Sequence, residues 1–282
     1  MTRIRPSRVP TGCLAILAVV LCAACAERHE ARGLVLNVDA PTGVMTVSHD
    51  AIPGFMDAMV MPLTAAHAAD LDEIRPGDRI AFRLNVHHDR TLVDRVRILS
   101  GAPSADVLMA PGTAARIPIG ELVPGFTLIN QRGEPISLET LRGRVVAIGF
   151  VYTRCPLPDY CPRVITNLAS LRNRFGDRLG RDLVLLTITF DPKHDTPDTL
   201  QAFAASYGAD VDGWQFLTGE PGDIARVCSL FGLESWPEEG LITHTLQTVV
   251  IDRDGRLAAI VEGKEFSPRQ LGDLVADRLA GR

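Results

Sequence analysis

The sequence predicts a multidomain chain, a small all-β unit followed by an α/β unit, and three observations carry that prediction. At 282 residues the chain exceeds one typical domain of about 100 to 200 residues. Its first third alternates polar and apolar residues between Gly and Pro breaks, whereas its second half separates continuous apolar runs by helical patterns. Between them Ser100 to Arg116 (SGAPSADVLMAPGTAAR) is small, Pro- and Gly-bearing and without periodicity, as a linker is. We therefore expect a leader over 1–25, a β unit over 31–100, a linker over 101–117 and an α/β unit over 118–282.

Composition removes several function classes. A hydrophobic fraction of 46% with 22% charged residues suits a folded soluble protein and excludes a disordered tail or a multi-span membrane protein. The formal charge of −5 provides no basic field, so no nucleic-acid partner is expected. The six cysteines, Cys13, Cys22, Cys25, Cys155, Cys161 and Cys228, are too few and too scattered for a disulfide scaffold.

The leader is read from Arg3, Arg5 and Arg8 followed by the apolar run Cys13–Ala24, an export-signal pattern. A membrane-spanning helix needs about 20 apolar residues, and this run stops short at Glu27, Arg28, His29 and Glu30. Two processing routes fit: cleavage after a small residue such as Ala26, or lipid attachment at Cys25 in Leu21-Cys22-Ala23-Ala24-Cys25. That motif resembles a bacterial lipobox, with Leu21 one position early. Either route takes the charge from −5 to −8, 26 basic against 34 acidic residues, and places the protein in an oxidising compartment.

In the β unit, GLVLNVD, GVMTVSHD, DRIAFRLNV and LVDRVRIL read as short strands broken by Pro41-Thr42-Gly43, Pro53-Gly54 and Pro76-Gly77-Asp78. Period-2 alternation with such breaks predicts a small antiparallel sheet or barrel. In the α/β unit, Val145–Val151, Leu183–Phe190 and Thr248–Ile251 read as buried strands. Helical patterns lie around Val164–Arg174, Asp198–Tyr207 and Asp223–Phe231, and Asp252-Arg253-Asp254-Gly255 reads as a hairpin turn.

Cys155 and Cys161 follow a buried strand and precede a helix, in VAIGFVYTRCPLPDYCPRVITNL. Reactive groups of α/β folds collect at the carboxyl ends of strands, and a helix N-terminus lowers a thiol pKa. Pro156, Pro158 and Pro162 stiffen the loop, so the pair suits a disulfide or a soft metal ion; spacing alone also allows an inert structural bridge. Cys228, on one helical face with Ile224 and Phe231, reads as a core thiol. At Asp191–Pro197 a strand ends and a helix begins, with Asp195 or Thr196 as its cap and His194 facing solvent.

PGFTLINQRGEPISLETLRGRVVAIGFVYTRCP, FDPKHDTPDTL and ITHTLQTVVIDRDG together resemble the Sco/SenC family over roughly Ile119 to Ala280. The resemblance implies a thioredoxin-like fold and copper handling outside the cytoplasm, in assembly of the binuclear copper site of cytochrome c oxidase. It implies that Cys155, Cys161 and His244 hold copper; two thiolates suit Cu(I), and an added imidazole also suits Cu(II). Asp191 would lie near that loop. The family loop separates its cysteines by three residues, whereas here five intervene.

The β unit carries a second soft-metal signal, VSHDAIPGFMDAMVMPL, which holds three of the six methionines. If Met59-Val60-Met61 is extended, both thioethers share one face, and His49 can meet them across the Pro53-Gly54 turn. Thioethers and imidazole select Cu(I) or Ag(I), although a methionine-rich core would read the same way. The segment is similar to CusF-like periplasmic copper-binding domains, small five-stranded, OB-like barrels carrying a histidine, an aromatic residue and Met-x-Met. That likeness implies His49, Met59 and Met61 as ligands. The capping tryptophan of the family falls at Met56, which then stands as a fourth, thioether ligand. His87 and His88 read as turn residues.

Together these features predict an exported copper metallochaperone in the periplasm or cell envelope, lipid-anchored at Cys25. Its expected acceptor is the cytochrome c oxidase subunit carrying the binuclear copper site, or another copper acceptor. The alternatives are a periplasmic thiol–disulfide oxidoreductase using Cys155 and Cys161 as a redox pair, and a copper or silver buffer for metal tolerance.

Overall fold

Alternation in the β unit closes a barrel. The computed structural model describes residues 27–87, 90–99, 116–233, 235–238 and 241–281; within these, the side chains of 235–238, Leu241, Thr243 and His244 are not described. Strands β1 (Glu27–Asp39), β2 (Val44–His49), β3 (Val60–Ala65), β4 (Arg79–Val86) and β5 (Thr91–Ile98) run in the order β1-β2-β3-β5-β4. The pairs are antiparallel except β3 with β5, which is parallel and completes the barrel, so no edge strand is left open. Strand β1 begins at Glu27, earlier than the alternating pattern suggests. Gly33 stands opposite His49, where an added Cβ would meet Val47 Cγ1 at 2.4 Å, so only glycine permits this approach of β1 to β2.

The second unit holds β6 (Thr127–Asn130), β7 (Pro135–Ser137), β8 (Val145–Val151), α1 (Cys161–Arg174), β9 (Leu183–Thr189), α2 (Pro197–Ser206), β10 (Trp214–Thr218) and α3 (Pro221–Leu230). It continues with β11 (Ser235–Glu238), β12 (Leu241–His244), β13 (Gln247–Ile251), β14 (Leu257–Glu262) and α4 (Pro268–Leu279). Seven strands form one mixed sheet in the order β14-β13-β8-β9-β10-β6-β7, while β11 and β12 form a separate two-stranded ribbon. Every residue of β8, β9 and β13 is buried, as continuous Val/Ile/Leu runs require when both faces are covered. The expected hairpin at Asp252–Gly255 joins β13 to β14.

Three helix starts are sharpened by the structure. Helix α1 starts at Cys161, three residues before the apolar periodicity begins, so the second cysteine belongs to the helix and not to the loop. Thr196 caps α2 by accepting from the Thr199 amide, while Asp195 turns inward and caps nothing. Helix α4 was not anticipated, although Ser267-Pro268-Arg269-Gln270 forms a capping box with Pro at the first helical position.

The barrel docks on the second unit through β1. Ala31 and Val35 face the barrel core, whereas Leu34 and Leu36 join the core of the α/β unit, each worth about 2 kcal/mol of burial. Gly77, at φ +99°, lies where an added Cβ would meet Ile260 O of β14 at 2.5 Å. The leader with Cys13, Cys22 and Cys25, residue His88 and the linker 100–115 lie outside the described residues. Among the described residues no helix is long and apolar enough to cross a membrane.

Candidate metal centres

The cysteine loop leaves the carboxyl end of β8 and is tied down at its base. Buried Asp195 accepts from the Thr153 amide at 3.1 Å, from Thr153 Oγ1 at 2.5 Å and from Thr189 Oγ1 at 2.5 Å. Arg154, adjacent to Cys155, donates to Asp191 Oδ2 at 2.6 Å, and His194 Nδ1 lies 2.9 Å from Asp191 Oδ1. Asp191 is thus beside the loop, and His194 is half-exposed but paired. Backbone turns at Cys155 N to Tyr152 O and Tyr160 N to Leu157 O carry the chain into α1.

This folding brings the Cys155 and Cys161 thiols into interaction, the first half-buried and the second fully buried. Burial pushes the Cys161 thiol up, and the neighbouring Cys155 adds to that shift, so Cys161 carries its proton until a metal or an oxidant takes its place. The Tyr152 hydroxyl hydrogen-bonds Cys155 and accepts from the Ile242 amide of β12 at 3.5 Å. Sequence reasoning missed Tyr152, because an apolar run ending in tyrosine reads only as a strand terminus.

His244 ends β12 opposite Ser235, and β13 then pairs Thr248 with Gly149 of β8. That register runs the His244 backbone past the same strand end from which the cysteine loop departs. Its side chain lies outside the described ones. Cys228 packs in the core, where burial pushes its thiol up to about 12.

In the barrel, His49 is 1% exposed. Its Nδ1 lies 2.6 Å from the Asp50 carbonyl oxygen, which can only accept, so Nδ1 holds the proton and Nε2 the lone pair. Nε2 is buried without a hydrogen-bond partner. Such a nitrogen is costly to bury unless something else uses its lone pair.

Strand register brings the methionines to it. His49 N donates to the carbonyl of Met59, one residue before β3, at 3.0 Å, and Val47 pairs with Met61, so Met61 shares the face of β3 that carries core residue Leu63. Met61 and Met56 are half-buried against the barrel core, and Met59 is 49% exposed. Met56 is held over this end of the barrel by the Ile52 amide donating to its carbonyl at 2.8 Å. Neighbouring Phe55 stacks on His29 with centroids 4.0 Å apart. Among the described residues no three His, Cys, Asp or Glu side chains converge.

The two sets are separate. Cys161 opens the 14-residue α1, while Arg174 at its other end reaches Asp273, which holds Ser48 beside His49. That helix is about 20 Å long.

Residues 116–279, more than half of the chain, match the family model described as SCO1/SenC. The chain belongs to the SCO1/SenC family. Residues 28–98, ahead of the SCO1/SenC domain, match the model described as copper binding periplasmic protein CusF. The SCO1 protein homolog of Bacillus subtilis (strain 168) is 29% identical over 174 residues, covering 59% of this chain and 86% of the relative. A SCO1/SenC family lipoprotein from Bacillus anthracis str. Ames superposes with a TM-score of 0.50 at 27% identity, covering 56% of this chain and 95% of that one. BsSco, described as a member of the Sco family of cytochrome c oxidase assembly proteins with a disulfide switch, gives 0.50 at 26% identity, covering 57% and 95%. The SCO1/SenC domain accounts for the thioredoxin-like unit, and the CusF-like domain for the barrel.

Proposed function

We propose that this protein is an exported copper metallochaperone with two soft-copper sites, one held by Cys155, Cys161 and His244, the other by His49, Met59 and Met61 with Met56. The observation that carries the copper reading is His49 Nε2, a buried lone pair without a hydrogen-bond partner beside a Met-x-Met strand. Imidazole and thioethers select Cu(I) and also suit Ag(I), whereas two thiolates with imidazole suit both copper oxidation states. The cargo moves by ligand exchange: each arriving thiolate displaces one from the donor, and the buried Cys161 proton leaves as copper enters. The interaction between the two thiols supports ligation by both sulfurs across the five intervening residues.

The acceptor we propose is the cytochrome c oxidase subunit carrying the binuclear copper site, or another copper acceptor, by analogy with BsSco. The periplasm is the proposed compartment, with lipid attached at Cys25, supported by the leader motif, the CusF likeness and the lipoprotein from Bacillus anthracis. Radiolabelled fatty acid incorporated by the parent and not by Cys25→Ala tests the anchor. Titration of the reduced protein with Cu(I) against a competing chelator tests the copper reading. Two equivalents are expected, and a protein binding fewer than one would overturn it.

A second reading rests on the thiol pair itself. One thiol half-exposed and its partner buried is the arrangement of an attacking and a resolving cysteine. Cys155 and Cys161 would then pass two electrons and two protons to a partner disulfide, closing their own disulfide as the partner gains two thiols. Turnover of a partner disulfide without copper retention would favour it. The third alternative is a copper or silver buffer, favoured by a deletion strain that loses metal tolerance but still assembles its oxidase.

A further inference from the structure

The barrel's candidate ligand is held by the other domain. Strand β2 ends at Ser48-His49, Asp50 follows it, and each of these residues is gripped by α4. Gln270, fully buried, donates from Nε2 to Ser48 O at 2.9 Å and to Asp50 Oδ1 at 3.1 Å. Its Oε1 accepts from the Ser267 amide at 2.9 Å in the capping box, which fixes the orientation of the amide. Arg269 donates from NH2 to His49 O at 2.8 Å. Asp273 accepts from Ser48 Oγ at 2.7 Å and is itself held by Arg174 at 2.8 Å and Arg269 at 2.9 Å. Arg79 of the barrel completes the set at Asp50 Oδ2, at 2.5 Å.

This network is more than domain glue, because it converges on the residue whose carbonyl sets the His49 tautomer. Asp50 O accepts the Nδ1 proton, and Gln270 and Arg79 hold the Asp50 side chain from two directions. Groups that orient a ligating imidazole typically tune metal affinity roughly 10- to 100-fold. Resting on the copper reading of the barrel, we propose that Gln270, Arg269 and Asp273 are positioning residues for His49. The copper affinity of the CusF-like domain is therefore set from the SCO1/SenC domain of the same chain.

The test uses the full chain with Cys155→Ser and Cys161→Ser as parent, leaving the barrel as the Cu(I) site, and competing chelation as the measurement. Gln270→Ala is expected to raise the dissociation constant about tenfold, and half-buried Arg269→Met by a smaller factor. Copper-edge absorption should show the imidazole shell weakened in both. Arg278→Met removes another interdomain bond, to Leu36 O on β1, away from His49, and should leave affinity and spectrum unchanged. Parent-like affinity in both Gln270→Ala and Arg269→Met would overturn the inference, as would an equal loss in Arg278→Met. A parent that binds no Cu(I) would overturn the copper reading of the barrel, and this inference with it.

Discussion

The cysteine loop and the barrel mouth present soft ligands on two different kinds of support. The loop is held by its own domain, through Asp195 beneath Thr153, Asp191 beside Arg154, and Tyr152 between Cys155 and β12. The barrel's His49 is held by a helix more than two hundred residues further along the chain, a sequence separation of 220 between Arg269 and His49. Local support ties a site to the stability of one unit, whereas support from across an interface ties it to docking. Disturbing the contact between the domains should therefore leave the first site alone and alter the second.

The comparison breaks most sharply on the ligands. Cys155→Ser with Cys161→Ser should lose one of two Cu(I) equivalents and the thiolate–copper charge-transfer band, leaving the barrel equivalent intact. His49→Ala should remove the other equivalent and spare that band. Loss of both from either variant would show the sites to be one, against their separation by α1.

Next in size is Asp195→Ala. It strips three hydrogen bonds from a fully buried carboxylate, so stability measured by denaturant unfolding should fall by about 3 kcal/mol. Copper affinity at the cysteine site should fall with it, while the barrel affinity holds. Tyr152→Phe is a finer probe, removing only the hydroxyl that joins Cys155 to β12. A stability change of about 1 kcal/mol is expected, together with faster alkylation of Cys155 in the apo protein.

An effect confined to high pH, and absent at neutral pH, separates chemistry from packing among the thiols. Burial raises the Cys228 thiol to about 12, so its neutral form is favoured in the folded state. The stability this contributes is complete below the ordinary thiol value of 9.0 and is lost as pH rises from there towards 12. Cys228→Ala should therefore flatten the decline in unfolding free energy between those limits, by at most about 1.4 kcal/mol per pH unit. Cys161, raised in the same direction, maintains the rest of the slope.

What sequence alone determined was local in origin. The fully buried β8, β9 and β13 announced themselves as apolar runs, and the barrel strands by alternation, because burial on two faces or one leaves those periods in the residues. Cys155, Cys161, His49, Met59 and Met61 stood out as soft donors at close spacing, a local pattern that left a structural bridge and a methionine-rich core open until the family resemblance pointed to copper. The interaction between the thiols, the lone pair left on His49 Nε2 and the grip of α4 were not legible there. Each depends on residues far apart in the chain, and Arg269, Gln270 and Asp273 read in sequence only as the polar face of a helix. Tertiary packing decided them, because a buried polar group takes its meaning from its partner, and only the fold says which partner arrives.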